Sequence, residues 1–259
     1  FLMKNHTNNG FGILIILGAL FFISGCAPMY VDRVCPSYIT RYEHLTGIHL
    51  GRLPHPEAVN YFEILPKIDR AKGCDLNSAG EQKEKFEKLC QKHGDVNYNQ
   101  VRSLPEFGFT ELITFYDKDF AVMNVISDSD FDDAHPAGTS LADIVRFLGW
   151  SPHKYIQSGY SMSYHYMSED LSEAFNRLLL LFGGKEQLVA SNNSICHPID
   201  KKISELEAED MILLRDFSSM SLGILYFEKT PENIKEHTIT LKMTTDDGDV
   251  FENSIKIVF

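Results

Sequence analysis

Basic side chains are scarce in this chain of 259 residues. It carries 24 Lys and Arg residues against 36 Asp and Glu residues, which gives a formal net charge of −12. Nucleic-acid binding needs clustered Lys and Arg to neutralise phosphates, so this balance argues against a nucleic-acid partner. It argues equally against electrostatic docking onto anionic lipid.

The signatures of common enzyme classes are also missing. The sequence contains no H-E-x-x-H motif, no P-loop and no complete G-x-S-x-G, because Ser163 stands where the second glycine after Gly159 and Ser161 belongs. It has no C-x-x-C pair, and no histidine lies at zinc-ligand spacing from two cysteines. These absences favour a protein that is not an enzyme, and they predict no zinc.

A short apolar run, 11–22, follows Lys4 and ends in Ile23-Ser24-Gly25-Cys26. A charged start, a short apolar core and small residues before a cysteine are typical of a secretory signal. The run is shorter than the ~20 residues that a membrane-spanning helix needs. Its ending resembles the lipobox of bacterial lipoproteins. That resemblance implies that 1–25 are a signal peptide and that Cys26 is lipidated.

The lipobox resemblance implies a membrane anchor in the bacterial cell envelope, at the outer membrane. Several acyl chains on Cys26 supply the double attachment that a single chain lacks. The periplasmic and the surface face both remain open. We expect 26–41, interrupted by Pro28 and Pro36, to be a tether, and 42–259 to be a single domain.

A second resemblance lies further along the chain. It comprises Asp-Phe-Asp at 130–132 and His-Pro-Ala-Gly-Thr-Ser-Leu-Ala-Asp at 135–143. This segment resembles uncharacterised lipoproteins of the Bacteroidetes, which also begin with a lipobox and a nearby cysteine, here Cys35 before Pro36. Since no activity is known for that family, the resemblance implies a location but no chemistry.

Four cysteines follow Cys26, and in an oxidising compartment an even number predicts two disulfides. Cys90 lies about 16 Å along a predicted helix, and the residues after Cys74 span at most about 17 Å. A Cys74–Cys90 bond is therefore within reach. We prefer Cys74–Cys90 with Cys35–Cys196, and the other two pairings remain open.

The pattern of the chain predicts a mainly β protein. Ile239, Leu241 and Met243 alternate with polar residues, and an Asp-Asp-Gly-Asp turn at 246–249 separates them from a similar alternation at 255–259. A second hairpin is predicted to join 107–116 to 120–127. About seven strand candidates indicate an Ig-like antiparallel β-sandwich.

Three helices are predicted to decorate this sandwich, at 78–93, 140–148 and 168–182. The first begins with a capping box between Ser78 and Glu81 and ends at Gly94. The stretch 51–77, interrupted by prolines, is predicted to be irregular apart from a short strand at 59–65.

Two groups of residues are candidates for binding. Asp128, Asp130, Asp132 and Asp133 resemble the start of a calcium loop, although Asp133 and Thr139 stand where an EF-hand has Gly and Glu. The alternative is a solvated acidic turn. A set of aromatic residues offers a surface for stacking on sugars or binding a partner, or else packs in the core: Trp150, Tyr155, Tyr160, Tyr164 and Tyr166.

The function predicted from these features is a non-catalytic binding or structural module of the cell envelope, with a protein or glycan partner. The alternative is a periplasmic or surface hydrolase with an unrecognised site around His135 and the Asp cluster. Calcium is the one cofactor considered.

Overall fold

The computed structural model describes residues 30–105, 113–161, 171–181, 195–215, 221–232 and 236–259. The described chain is mainly β, as predicted. Its elements are β1 (Tyr30–Cys35), β2 (Arg41–Arg52), β3 (Tyr61–Asp75), α1 (Glu81–His93), β4 (Gln100–Pro105), β5 (Thr114–Tyr116), β6 (Phe120–Ser127), β7 (Val145–Ser151), α2 (His153–Gln157), α3 (Glu173–Leu181), β8 (His197–Lys202), two short 3₁₀ turns (Ile203–Glu205 and Ala208–Met211), β9 (Gly223–Phe227), β10 (His237–Thr245) and β11 (Val250–Ile257).

The chain divides into two compact units. In its described part the smaller unit is the antiparallel pair of β1 and β4, and the larger unit holds the other elements. Strand β1 lies within the predicted tether, and its partner β4 lies within 42–259, the predicted domain. Tyr38 and Ile39 are buried, and their backbone N–H groups donate to the carboxylate of Asp95 at 2.7 and 2.8 Å. Partnered, buried backbone of this kind is ordered structure and not a flexible tether.

The larger sheet has the strand order β5-β2-β3-β9-β7-β8. Its neighbours run antiparallel except for the parallel pair of β2 and β5. β3 continues through Pro66, where an irregular chain was predicted. Beyond Ile64 this strand no longer pairs with β9, and among the described residues no other strand pairs with that edge at Pro66. Proline is tolerated there because its missing N–H removes no ladder bond.

The smaller sheet has the order β11-β10-β6. The predicted C-terminal hairpin is confirmed, with Ile239 opposite Ile255 and Met243 opposite Phe251. One hydrophobic cluster contains buried side chains from both sheets. It includes Ile48, Phe62 and Leu225 from the larger sheet, and Val125 and Leu241 from the smaller one.

The other predicted hairpin is wrong. β5 pairs with β2 in the larger sheet, whereas β6 pairs with β10 in the smaller one. The two aspartates between them bind the backbone of distant segments: Asp117 accepts from Leu45 N–H at 2.9 Å, and Asp119 accepts from Leu213 N–H at 3.0 Å. The short connection therefore passes from one sheet to the other. Residues 107–112 of this prediction lie outside the described residues.

The predicted helix at 140–148 is also wrong, because Val145–Ser151 is strand β7 inside the larger sheet. Five consecutive residues of this strand, 147–151, are buried. A strand covered on both faces reads as a continuous apolar run, which periodicity alone cannot distinguish from a buried helix. Ser140, the predicted helix cap, instead donates to the side-chain oxygen of Asn124 at 2.6 Å.

The first predicted helix is confirmed as α1, and the described part of the third as α3. α1 ends at Gly94, which has the left-handed φ of 71° expected of a C-terminal glycine. The capping box is wrong: Gly80 holds the N-cap position, and the Ser78 hydroxyl accepts from Asp75 N–H. Ser168 and residue 182 lie outside the described residues.

Candidate functional site

A pocket of about 220 Å³ lies in the larger unit at the C-terminal end of α1. We call it the His93 pocket. Its walls come from the end of α1, the start of β6, the start of α2, the second 3₁₀ turn and the turn after β10. It is lined by Lys92, His93, Asp119, Phe120, His153, Ala208, Glu209, Ile212 and Asp246.

His93 lies at the buried end of α1, with a side chain only 2% exposed. Its Nε2 is 2.9 Å from a carboxylate oxygen of Asp119, and its Nδ1 is 3.0 Å from the Tyr42 hydroxyl. Since an ionised carboxylate only accepts, Nε2 carries the proton, and in the neutral tautomer Nδ1 accepts from Tyr42. The Tyr42 ring also stacks on the imidazole at 5.6 Å between centroids. Both ring nitrogens are therefore occupied by the protein itself.

Asp119 is the buried carboxylate of the pocket. Burial by itself raises its pKa, but the bonds from His93 and from Lys92, whose Nζ lies at 2.7 Å, lower it to about 2. Lys92 Nζ also lies 2.8 Å from Asp246. Burial disfavours the charged ammonium, yet the two carboxylates raise the pKa of Lys92. Lys92 is thus a charged bridge between Asp119 and Asp246.

Two polar groups of the pocket have capacity left. His153, the first residue of α2, has a buried Nδ1 for which the described residues supply no hydrogen-bond partner. Burial lowers the pKa of His153, more than the nearby Glu209 carboxylate raises it. A neutral imidazole with a vacant nitrogen can accept a hydrogen bond. Glu209 is exposed, and within the described chain its carboxylate forms no hydrogen bond or ion pair.

The side chains that line the pocket define the chemistry available there. No Ser, Thr or Cys is among the residues that line the pocket, so they include no hydroxyl or thiol nucleophile. Asp119 is ionised near neutral pH and cannot donate a proton, and the imidazole nitrogens of His93 are already bonded.

The comparisons with known proteins identify no relative. No family model matches this chain. The searches of curated proteins and of solved structures also found no significant match. The assignment of this site therefore depends on its own geometry.

The predicted calcium ligands do not come together. Asp128 accepts from Thr238 N–H at 2.8 Å, Asp130 from Ala137 N–H at 2.8 Å, and Asp132 from His135 N–H at 2.9 Å. Asp133 is exposed. Within the described part of the chain no group of three or more His, Cys, Asp or Glu side chains is placed to hold a metal. These aspartates bind the backbone of their own loop and of β10, as in the alternative of an acidic turn.

The predicted hydrolase site at His135 is closed. Nδ1 of His135 lies 2.5 Å from Asp132 and Nε2 lies 3.0 Å from Asp143, so neither nitrogen is available for a substrate. Burial opposes the charged ring, but the two carboxylates raise the pKa of His135. This histidine binds the two ends of its loop together.

Two residues of the predicted aromatic surface, Trp150 and Tyr155, are part of the core. Trp150 and Tyr155 are 6% and 7% exposed. Trp150 packs edge-on against Phe175, and Tyr155 against Tyr38. Tyr160 is partly buried and donates its hydroxyl proton to Asp95 at 2.9 Å. Tyr164 and Tyr166 lie outside the described residues, as does Cys26, the predicted lipidation site.

The predicted disulfides are not formed: Cys35, Cys74, Cys90 and Cys196 are buried thiols. Burial raises the pKa of Cys74 to about 11, of Cys90 to about 12 and of Cys196 to about 11. Cys74 and Cys90 belong to the same hydrophobic cluster as Tyr42. Cys35 belongs to the smaller unit, and Cys196 to a different cluster of the larger one.

Sequence reasoning missed the His93 pocket. His93 and Asp119 are 26 residues apart, and Lys92 meets Asp246 from the far end of the chain. No spacing within one helix or strand signals such a site. The one local signal was the buried stripe of α1, which continues from Phe86, Leu89 and Cys90 to His93.

Proposed function

We propose that this chain is a lipid-anchored, non-catalytic binding module of the bacterial cell envelope, attached at the outer membrane through Cys26. The Ile-Ser-Gly-Cys lipobox at 23–26 supports the anchor. Lipid on one cysteine needs no spanning segment, and within the described residues no helix is long and apolar enough to cross a membrane.

One observation carries the binding role. In the His93 pocket the buried charged groups are paired with one another, while the lining residues include no hydroxyl or thiol nucleophile. The space of about 220 Å³ beside these paired groups leaves room for a ligand. We therefore place the ligand site of the module in this pocket, with a glycan or a protein side chain as the partner.

We also propose the Ig-like sandwich as the finer description of the larger unit. The hydrophobic cluster shared by the two sheets supports two packed layers. The antiparallel pairing of most strands supports it too, whereas the parallel pair of β2 and β5 is a local departure.

Metabolic labelling with a palmitate analogue tests the anchor. We expect the full chain to be labelled and to fractionate with membranes, and Cys26→Ala to lose both properties. Cys35→Ala is the matched control, since it removes the next cysteine and should leave the label in place. If the Cys26→Ala variant still carries label and still sediments with membranes, the proposal is contradicted.

The alternative is an envelope hydrolase, and one feature of the pocket favours it. Distant parts of the chain bring the carboxylates of Asp119, Glu209 and Asp246 beside His93 and His153. The neutral His153 would be the base. The test assays the purified full chain against ester, glycoside and peptide substrates. Activity that persists through purification and disappears in His153→Gln supports the hydrolase and contradicts the non-catalytic proposal.

A further inference from the structure

The two faces of the β1–β4 ribbon, the described part of the smaller unit, differ in character. Residues directly opposite each other in an antiparallel pair project from the same face. On one face Val34 lies opposite Val101, and their side chains are 61% and 63% exposed. On the other face Arg33 lies opposite Arg102. We call the face that carries Val34 and Val101 the valine face.

The ribbon is a thin structure that gains from a covering surface. Within the described residues, each of its strands pairs only with the other. A ribbon of two strands is marginally stable in water, and packing against a further surface stabilises it. Single exposed valines are common on proteins. Val34 and Val101 instead lie directly across from each other and form one continuous apolar spot.

The proposed lipid anchor brings a membrane to this ribbon. Only 27–29 separate Cys26 from Tyr30, where β1 begins. Fully extended, the chain from Cys26 to Tyr30 spans at most ~14 Å. Val34 lies four residues further along β1, which adds ~13 Å at ~3.3 Å per residue. With the acyl chains of Cys26 in the bilayer, β1 therefore begins within ~14 Å of the membrane surface.

The short connection also makes a weak contact effective. Two valines are too few to hold a free protein on a bilayer, because even a whole myristoyl chain gives only marginal binding. Once Cys26 is anchored, contact by the ribbon becomes an intramolecular step, and a short flexible linker supplies a millimolar effective concentration. Because the contact is apolar, it does not require the clustered Lys and Arg that this acidic chain lacks.

We propose that the valine face docks on the surface of the membrane that holds Cys26, with Val34 and Val101 at the boundary between headgroups and acyl chains. This inference rests on the proposed lipid anchor and names the partner of the smaller unit. Arg33 and Arg102 project from the opposite face, away from the lipid. Asp32 shares the valine face and is exposed. A carboxylate is excluded from hydrocarbon, so the docking is shallow.

Spin labelling of the lipidated full chain in phospholipid vesicles tests this contact. Val34→Cys and Arg33→Cys each receive one nitroxide, since the other described cysteines are buried. Oxygen concentrates in the bilayer and a nickel chelate stays in water, so the ratio of their collision rates with the nitroxide reports its depth. We expect a ratio at least about threefold higher at 34 than at 33, because docking places only the valine face ~5–10 Å into the boundary. Equal ratios overturn the proposal.

A substitution at the opposite valine separates docking of the ribbon from insertion of the label itself. In the labelled Val34→Cys chain, Val101→Asp adds a carboxylate to the valine face and should lower the ratio to the value at 33. Val122→Asp makes the same change at a 56% exposed valine of β6, in the larger unit, and should leave the ratio unchanged. Equal effects of the two substitutions contradict docking through the valine face.

The same chains distinguish the other outcomes. Dipolar broadening between labels at 34 of neighbouring chains shows that the valine face packs on a second copy, which overturns the membrane contact. A chain that incorporates palmitate at Cys26 but keeps the label at 34 in water retains the anchor and rejects the docking. A chain that is not lipidated rejects both, because it lacks the short connection to the membrane.

Discussion

The hydroxyl of Tyr42 lies 3.0 Å from Nδ1 of His93, although 51 residues separate them in the sequence. Tyr42 belongs to β2 and His93 ends α1, so this bond connects the larger sheet to the helix that forms one wall of the pocket. Both side chains are buried. The orientation of the imidazole toward Asp119 is therefore determined by the packing of α1 on the sheet.

Removing that hydroxyl should destabilise the protein. Tyr42→Phe keeps the ring but leaves His93 Nδ1 buried without a partner, which costs about 1–3 kcal/mol. Urea denaturation measures the free energy of unfolding. Lys88→Gln, at an exposed position of α1, is the control and should stay within about 0.5 kcal/mol. A Tyr42→Phe value as small as that of the control contradicts the importance of the bond.

Asp119 should make the free energy of unfolding decrease at acidic pH. Its pKa of about 2 lies below its ordinary value of 3.8, so its contribution is present above pH 3.8 and is lost as the pH falls through 2. In Asp119→Asn this contribution is absent. The difference in unfolding free energy between the parent and the variant should shrink by about 1.5 kcal/mol between about pH 5 and pH 2.5. A difference that stays constant with pH excludes a depressed pKa.

His135 should give the free energy of unfolding the opposite dependence on pH. Burial opposes the charged ring, but Asp132 and Asp143 raise the pKa of His135 above the ordinary 6.5. The charged ring therefore stabilises the fold fully below pH 6.5, and this stabilisation is lost as the pH rises through the pKa of the folded state. The pKa values of both carboxylates are lowered, so the stability that they contribute is lost at acidic pH. Two lysines also favour the ionised carboxylates. Lys229 Nζ lies 3.9 Å from Asp132, and the positive charge of Lys202 lowers the pKa of Asp143.

The variant His135→Gln tests this ion-paired loop. Its loss of unfolding free energy relative to the parent should be larger near pH 5.5 than near pH 8.5, because the imidazolium is present only at the lower value. Unfolding is followed by circular dichroism at both pH values. An equal loss at the two values shows that the ring acts through packing and not through charge.

Gly223 should tolerate no side chain. A Cβ at this position would lie 2.4 Å from two ring atoms of Phe147 and 3.1 Å from the carbonyl oxygen of Leu148. Phe147 is fully buried and cannot move aside. Overpacking of this kind costs about 1–3 kcal/mol or more. Gly138→Ala, whose added Cβ meets no atom within 4 Å, is the control for the positive φ that both glycines share. Thermal unfolding should show Gly223→Ala as the less stable of the two.

Some elements of the fold are readable from local sequence. The C-terminal hairpin follows from period-2 alternation and from the Asp-Asp-Gly-Asp turn at 246–249. The end of α1 follows from Gly94, because glycine adopts a positive φ without a steric penalty. The lipobox also depends only on adjacent residues. In each case the determining interactions lie within a few residues of one another.

Other elements depend on partners that only the folded chain supplies. Whether 145–151 becomes a helix or a strand is decided by β8 and β9, which pair with both sides of it. Local propensity differs by less than the free energy of burying such a segment on both faces, so the tertiary environment decides.

The His93 pocket belongs to this second class. The sequence by itself determined a mainly β chain with a formal net charge of −12. Only the tertiary structure placed Asp119 beside His93, and brought Glu209 and His153 into the walls of the same pocket. The physical reason is that hydrogen bonds between distant side chains form after the sheets pack and bury them, and no periodicity along the chain records which groups will meet.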